Sequence, residues 1–206
     1  MNSSVIPVAI IDPDAPTGSL EKKQPDVNNG VEVHSKEGYF SKDYAELEWE
    51  NLWSKTWLIA GVQADLPNIG DYFLFKIRHE SFIISHTQEG IRAFYNVCPH
   101  RGARLLTEEH GNRKVFICPF HSWSFSNNGD LRSITDENTF QPEVVCHRPG
   151  LKQARVEVLA GLIFINMDEH APSLKDEIGL PEGYLENYRI DQMKVVRHVR
   201  SEWGSN

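Results

Sequence analysis

The sequence predicts a mainly β protein built from short antiparallel strands, and three observations support this class. From Gly61 onward, short runs of β-branched and aromatic residues alternate with turn-forming residues, as in YFLFKI at 72–77. The turn signals recur at short intervals, which is typical of antiparallel sandwiches and barrels. Two stretches that each contain a cysteine, a proline and a histidine, at 98–100 and 118–121, follow predicted strands and are therefore expected on loops.

The composition is that of a globular protein with one core and some additional segments. The chain has 206 residues, of which 40% are hydrophobic and 24% charged, and its formal net charge is −8. An acidic chain lacks the basic surface that non-specific nucleic-acid binding requires, so no nucleic-acid partner is expected. No apolar run approaches the length of a membrane span and the amino terminus does not resemble a signal peptide. Three cysteines predict no disulfide framework, and the expected location is the cytoplasm.

The amino-terminal region is predicted to contain an arm and one helix. Residues 1–38 are rich in Pro, Asn, Gly, Ser and charge without a sustained period, which predicts a flexible arm. Ser41 is a good N-cap for a helix that extends to about Ser54, within a helical segment assigned to 39–58. The apolar positions Ala45, Trp49, Leu52 and Trp53 share one face of that helix, which indicates a packing role.

The remaining elements follow from apolar runs and the turns between them. Strands are predicted at 72–77, 82–85, 91–97, 115–117, 123–125, 154–158 and 162–166, with a strong turn at 126–130. Residues 166–192 are acidic and are interpreted as a solvated connector. A further strand-like run is predicted over 193–203.

The two Cys/His stretches have the spacing of a metal site. Cys98 and His100 precede Cys118 and His121, with residues 101–117 between the two pairs. Four nitrogen and sulfur donors suit zinc or iron. Zinc folds usually pair two Cys in one arm and two His in the other, whereas here each arm carries one of each. A [2Fe–2S] cluster with two thiolates on one iron and two imidazoles on the other requires this mixture. These four residues are therefore predicted to bind the cluster as the ligands of its metal ions.

The other cysteine and the isolated histidines are assigned packing roles, because a single Cys or His without a partner motif is more often a core residue than a ligand. This default covers Cys146, His34, His79, His86, His110, His147, His170 and His198.

The two loops resemble the Rieske motif of ring-hydroxylating oxygenase large subunits. The family pattern C-x-H-R-G-A followed by C-P-[YF]-H-G-W is matched by 98–103 and 118–123, except that Ser122 replaces the usual Gly. The segments TWLIAG at 56–61, IGDY at 69–72 and FYNVCPH at 94–100 are also similar, and the resemblance extends over roughly 40–206. We expect the cluster ligands to be unaffected by Ser122, whereas the reduction potential of the cluster could be altered by it.

This resemblance implies an organisation and a function. Residues 59–185 would form the Rieske domain and 186–206 the truncated start of an α+β catalytic domain, on which the helix at 39–58 would pack. Electrons would pass from a ferredoxin or flavin reductase through the cluster to a mononuclear Fe(II) that hydroxylates an aromatic or related small substrate. Because the two His and one carboxylate that bind such an iron are not found here, no catalytic residue is predicted. The intact subunit would form homo-oligomers, or hetero-oligomers with a small subunit.

Several alternatives stay open at this stage. A stand-alone Rieske ferredoxin carries electrons without catalysis, and a zinc module has no redox role. Rieske proteins of cytochrome bc complexes have two further bridging cysteines, at positions that correspond to Ala103 and Phe120, so they are disfavoured. Basic residues near the loops are predicted either to steer an acidic electron donor or to have structural roles; these are Arg101, Arg104, Arg113 and Lys114.

Overall fold

The computed structural model describes residues 35–143, 148, 150–197, 199 and 201–204. Contacts within the chain divide it into two compact units, Met1–Tyr39 and Phe40–Asn206, and all strands found among the described residues lie in the second unit. The predicted arm at 1–38 lies almost wholly outside the described residues, as do His34, Cys146, His147 and His198. None of the helices in the described part of the chain is both long enough and apolar enough to span a lipid bilayer.

The predicted helix begins at the expected cap. A short helix α1 at Glu37–Phe40 precedes helix α2 at Lys42–Glu48, and the Ser41 hydroxyl accepts a hydrogen bond from the amide of Tyr44 at 3.2 Å. The helix then continues as a π-helical turn at Trp49–Trp53, so its aromatic residues follow a wider spacing than the predicted α-helical face.

Seven strands form the larger sheet, and each hydrogen-bonded pair in it is antiparallel. In chain order these strands are β1 Leu58–Val62, β2 Asp71–Ile77, β3 Glu80–Thr87, β4 Gly90–Tyr95, β5 His110–Asn112, β9 Gln153–Leu159 and β10 Leu162–Asn166. Their spatial order in the sheet is β1-β10-β9-β4-β3-β2-β5.

A second, three-stranded sheet has the order β6-β7-β8, with β6 at Val115–Ile117, β7 at Ser124–Ser126 and β8 at Leu131–Ser133. The class predicted from the sequence, mainly antiparallel β, is confirmed. Strands β1, β5 and β8 were not predicted. Beside the sheets there are a short helix α3 at Leu174–Ile178 and single 3₁₀ turns at Gln63–Asp65, Glu137–Thr139, Glu186–Tyr188 and Ile190–Gln192.

Two expectations from the sequence are wrong. The described residues of 193–203 contain no strand, because none of them pairs with a neighbouring strand that would satisfy their backbone groups. The packing default also fails for three isolated histidines, which are exposed: His79, His110 and His170. His86 is half-buried, and its Nδ1 lies 2.8 Å from the carbonyl oxygen of Leu66.

The main core cluster joins the two sheets and contains the Cys/His loops. It includes Tyr72, Ile83 and Phe94 from the larger sheet together with Phe116 and Phe125 from the smaller one. Cys98, Cys118 and Trp123 are buried in the same cluster. The packing of the two sheets therefore brings together two segments that are far apart in the sequence.

Candidate metal centre

The two Cys/His segments form loops with the same backbone geometry. Loop 98–103 lies between β4 and β5 of the larger sheet, and loop 118–123 connects β6 to β7 in the smaller sheet. In both loops the amide of the first residue donates to the carbonyl of the sixth at 2.8 Å. The amide of the fifth residue donates to the carbonyl of the first, at 2.9 Å in loop 98–103 and 3.0 Å in loop 118–123. The two loops therefore share the same backbone hydrogen bonds, although histidine is the third residue of loop 98–103 and the fourth of loop 118–123.

The fifth residue of each loop adopts a left-handed backbone conformation. Gly102 has φ 71° and Ser122 has φ 57°. Glycine occupies this region without steric cost, whereas a residue with a Cβ is strained there. Ser122 therefore keeps the loop geometry that glycine forms in the family pattern, although its conformation is strained.

Replacing Ser122 with Gly is expected to stabilise the protein. Relief of the left-handed strain is opposed by the greater freedom of glycine in the unfolded chain, so we expect the free energy of unfolding to rise by about 0.5–1 kcal/mol. The midpoint of urea unfolding, compared at equal iron content, measures this change.

Gly102→Ser provides the matched control for Ser122→Gly. A Cβ at Gly102 would meet no atom within 4 Å, so any destabilisation there comes from the backbone conformation alone. We expect Gly102→Ser to lower the unfolding midpoint. Equal midpoints for the wild type and both variants would contradict the strain argument.

The sulfur donors form a buried pair. Cys98 and Cys118 are free thiols with exposed fractions of 1% and 2%. Burial raises the pKa of the Cys98 thiol, and its contacts with Cys118 act in the same direction. Two unbridged thiols in mutual contact inside a core provide the soft donors that iron–sulfur clusters use.

The nitrogen donors form a second pair. The ring centroids of His100 and His121 lie 4.6 Å apart. The Nδ1 atom of each ring is buried and has no hydrogen-bond partner among the residues that the structure describes. Because buried polar atoms are normally paired, two adjacent unpaired imidazole nitrogens indicate atoms reserved for a ligand.

The environment of His100 favours the neutral imidazole, which is the form that binds metals. Burial lowers the pKa of His100 most, and electrostatic interactions with His121, Arg101 and Arg148 lower it further.

The arrangement of donors fits a group with two metal ions. No three His, Cys, Asp or Glu side chains among residues 35–143 and the described residues beyond them are grouped to hold one metal ion. The two thiols are in contact with each other and the two imidazole rings lie 4.6 Å apart, so each pair of like donors could bind one iron of a two-iron cluster. A single tetrahedral zinc would need all four donors around one point.

Asn96 supports loop 98–103, and the sequence analysis missed it. This buried side chain donates to the hydroxyl of Ser81 at 3.2 Å and to the carbonyl of Leu106 at 2.8 Å. Its oxygen accepts hydrogen bonds from the amides of Leu105 and Leu106 at 3.1 and 2.9 Å. These bonds join the chain before the loop to the chain after it. The only sequence signal was a polar residue directly after the apolar strand β4.

The histidine side of the site opens on a surface depression of about 460 Å³. Its lining includes both histidines, Trp123, Phe140 and the exposed side chain of Phe120. This side therefore combines solvent access with apolar surface, whereas the two thiols are enclosed in the core.

The basic residues near the loops differ in their pairing. Arg113 forms an ion pair with Glu108 at 3.2 Å. Arg101, Arg104 and Lys114 are exposed, and within the described residues no ion pair is found for them. Three of these four basic residues are therefore exposed cations at the surface near the loops.

Comparison with known proteins finds a matching domain family and several similar chains. The model of the Rieske [2Fe–2S] domain family matches residues 56–153. The large oxygenase component of the naphthalene 1,2-dioxygenase system of Pseudomonas aeruginosa is 40% identical over 157 residues, covering 75% of this chain and 34% of the relative. The oxygenase subunit of carnitine monooxygenase from Escherichia coli K12 is 36% identical over 153 residues, covering 72% of this chain and 40% of the relative. The chain thus spans about a third of the length of the curated relatives it matches.

Solved structures of oxygenases are also similar to this chain. A naphthalene 1,2-dioxygenase with bound indole superposes with a TM-score of 0.60 at 38% identity, covering 65% of this chain and 30% of the other. A quaternary ammonium Rieske monooxygenase studied for carnitine oxidation superposes with a TM-score of 0.65 at 33% identity, covering 74% and 41%. Residues 56–153 of this chain therefore belong to the Rieske [2Fe–2S] domain family.

Proposed function

We propose that this chain is the electron-transfer portion of a ring-hydroxylating oxygenase subunit. In this function it passes electrons from a ferredoxin or flavin reductase to a mononuclear non-haem iron, which hydroxylates an aromatic or related small organic substrate. The observation that carries the proposal is the pairing of two buried free thiols with two unpartnered imidazole nitrogens on matching loops. The matched relatives are named as oxygenase components rather than as ferredoxins, which favours this function over an electron carrier alone.

Each of the four side chains has a distinct role in this proposal. Cys98 and Cys118 would bind the buried iron through their thiolates, and His100 and His121 would bind the outer iron through Nδ1. When bound, a [2Fe–2S] group accepts and releases one electron at a time. The rest of the chain holds the donors in place, keeps water from the thiols and leaves the histidine side open to a partner.

The direct test is the metal content of the full chain. Protein purified anaerobically, or reconstituted with iron and sulfide, is expected to hold about two irons and about two sulfides per chain. It should be red-brown and give a rhombic EPR signal after reduction. Protein that holds zinc, or neither iron nor labile sulfide after reconstitution, would refute the proposal.

Replacing His121 with Cys is expected to lower the reduction potential strongly. Histidine-ligated clusters lie at about −150 to +300 mV, whereas plant-type clusters with four thiolates lie near about −400 mV, because a thiolate adds negative charge to the cluster. A redox titration of reconstituted protein measures the midpoint. An unchanged midpoint at full iron content would show that His121 does not bind the cluster.

We propose that the exposed cations beside the loops steer an acidic electron donor. Rates of reduction by an acidic ferredoxin should therefore fall as ionic strength rises. Arg104→Gln should weaken that dependence, and Arg92→Gln should leave it unchanged, because Arg92 lies on β4 in an ion pair with Glu89. Stopped-flow rates that do not respond to salt in the wild type would exclude steering.

We also propose the domain organisation that the family resemblance implies. Residues 39–58, which are helical as far as Trp53, and residues 186–206 would contact an α+β catalytic domain, with 59–185 as the Rieske domain. Exposed apolar side chains in both segments support this, among them Leu52, Trp53, Val196 and Trp203. The intact subunit would form homo-oligomers, or hetero-oligomers with a small subunit, in the cytoplasm, where the thiols of Cys98 and Cys118 stay reduced.

A further inference from the structure

Two aromatic rings and one arginine form a layered cluster beside His100. The indole of Trp123, which is 1% exposed, lies parallel to the His100 imidazole, with 4.5 Å between ring centroids and 4° between planes. The guanidinium carbon of Arg148 lies over the indole, 4.9 Å from its centroid. Phe140 closes the cluster, with its ring edge-on to Trp123 at 6.4 Å and 5.8 Å from the same guanidinium carbon.

This geometry couples Arg148 to the nitrogen side of the site through the indole of Trp123. A parallel stack restricts rotation of an imidazole, because turning the ring would break its contact with the buried indole. A guanidinium over an indole is attracted by the electrons of the ring and stacks on its plane. Arg148 therefore holds the indole that holds His100, and it brings a permanent positive charge to this side of the site.

We propose that Arg148 is a positioning residue for His100 and that its charge raises the reduction potential of the site. The proposal rests on the function proposed above, since it presumes that Nδ1 of His100 binds the outer iron. Reduction adds one negative charge to the cluster, and a nearby fixed cation stabilises that charge. Loss of Arg148 should therefore shift the midpoint potential downward and loosen the orientation of the His100 ring.

The effect of the shape of the Arg148 side chain and the effect of its charge can be separated by two substitutions. Arg148→Gln keeps a planar polar group and removes the charge, whereas Arg148→Lys keeps the charge and removes the planar fork. We expect a lower midpoint potential for Arg148→Gln. For Arg148→Lys we expect a midpoint near that of the wild type, with altered EPR g values, because the indole and hence the imidazole are held less firmly.

The experiment uses the full chain, reconstituted to equal iron and sulfide content, with redox titration and EPR of the reduced state as readouts. Arg92→Gln is the matched control, since it removes the same charge from a half-buried residue of β4, and its midpoint should not move. A purely structural role for Arg148 would change unfolding without changing potential or g values. Wild-type midpoints and spectra in both Arg148 variants would overturn this inference.

The two proposals fail in different ways. Wild-type protein that cannot be loaded with iron and sulfide would refute the proposed function and this inference together. Loaded wild-type protein whose potential and spectrum do not respond to Arg148→Gln and Arg148→Lys would overturn only the role of Arg148.

Discussion

Replacing Cys98 with Ser is expected to abolish stoichiometric iron binding. The hydroxyl oxygen is a hard donor that stays protonated, whereas a thiolate is the soft ligand that iron–sulfur clusters require. Cys98 is buried against Cys118, so no solvent ligand can readily replace the lost sulfur. Iron and labile sulfide per chain, measured after anaerobic reconstitution, should fall from about two of each to near zero. The melting temperature should also fall, because cluster binding stabilises the folded state.

The third cysteine supplies the control for this experiment. Cys146→Ser changes the same functional group outside the two matching loops, so its iron and sulfide content should equal that of the wild type. Full iron content in Cys98→Ser, or loss of iron in Cys146→Ser, would show that the thiols have been assigned wrongly.

Replacing Asn96 with Ala is expected to give the largest loss of stability among single substitutions outside the proposed ligands. The change removes four hydrogen bonds and leaves the amides of Leu105 and Leu106 without partners in the core. Each unsatisfied buried group costs about 1–3 kcal/mol, so the free energy of unfolding should fall by about 3–5 kcal/mol. Urea unfolding measures this loss, and iron content should fall in parallel because loop 98–103 loses its support.

Asn51→Ala is the control for the effect of Asn96. The side chain of Asn51 donates one exposed hydrogen bond to the carbonyl of Leu47 at 2.9 Å, so its loss should change stability by less than about 0.5 kcal/mol. If Asn96→Ala unfolds at the same urea concentration as Asn51→Ala, the network around Asn96 does not support the loop.

The strands could be predicted wherever the pattern of apolar residues was local. The predicted run 115–117 coincides with β6, and those at 72–77 and 162–166 match β2 and β10 within one residue. The pairing of β1 with β10 could not be predicted, because it joins residues that are distant in the chain. The prediction of a strand over 193–203 was wrong for the same reason, because β propensity produces a strand only where a partner strand accepts its hydrogen bonds.

The residues that support the site were harder to predict from the sequence than the donor residues themselves. A cysteine two or three residues from a histidine, repeated once, is an unusual local signal. Asn96 carries no such signal, because its function depends on backbone groups around the loop that only the fold brings to it. The stack of Trp123 between His100 and Arg148 depends in the same way on residues from separate segments.

The types of donor atoms, their spacing and the backbone freedom at Gly102 could be inferred from the sequence, because these properties reside in single residues and their near neighbours. The fold was needed to establish that the thiols are enclosed, that both Nδ1 atoms lack partners among the described residues and that the histidine side opens to solvent. Burial and hydrogen-bond pairing could not be inferred because they depend on which surfaces the two sheets bring into contact. Packing of those sheets against one another turns two separate loops into one site.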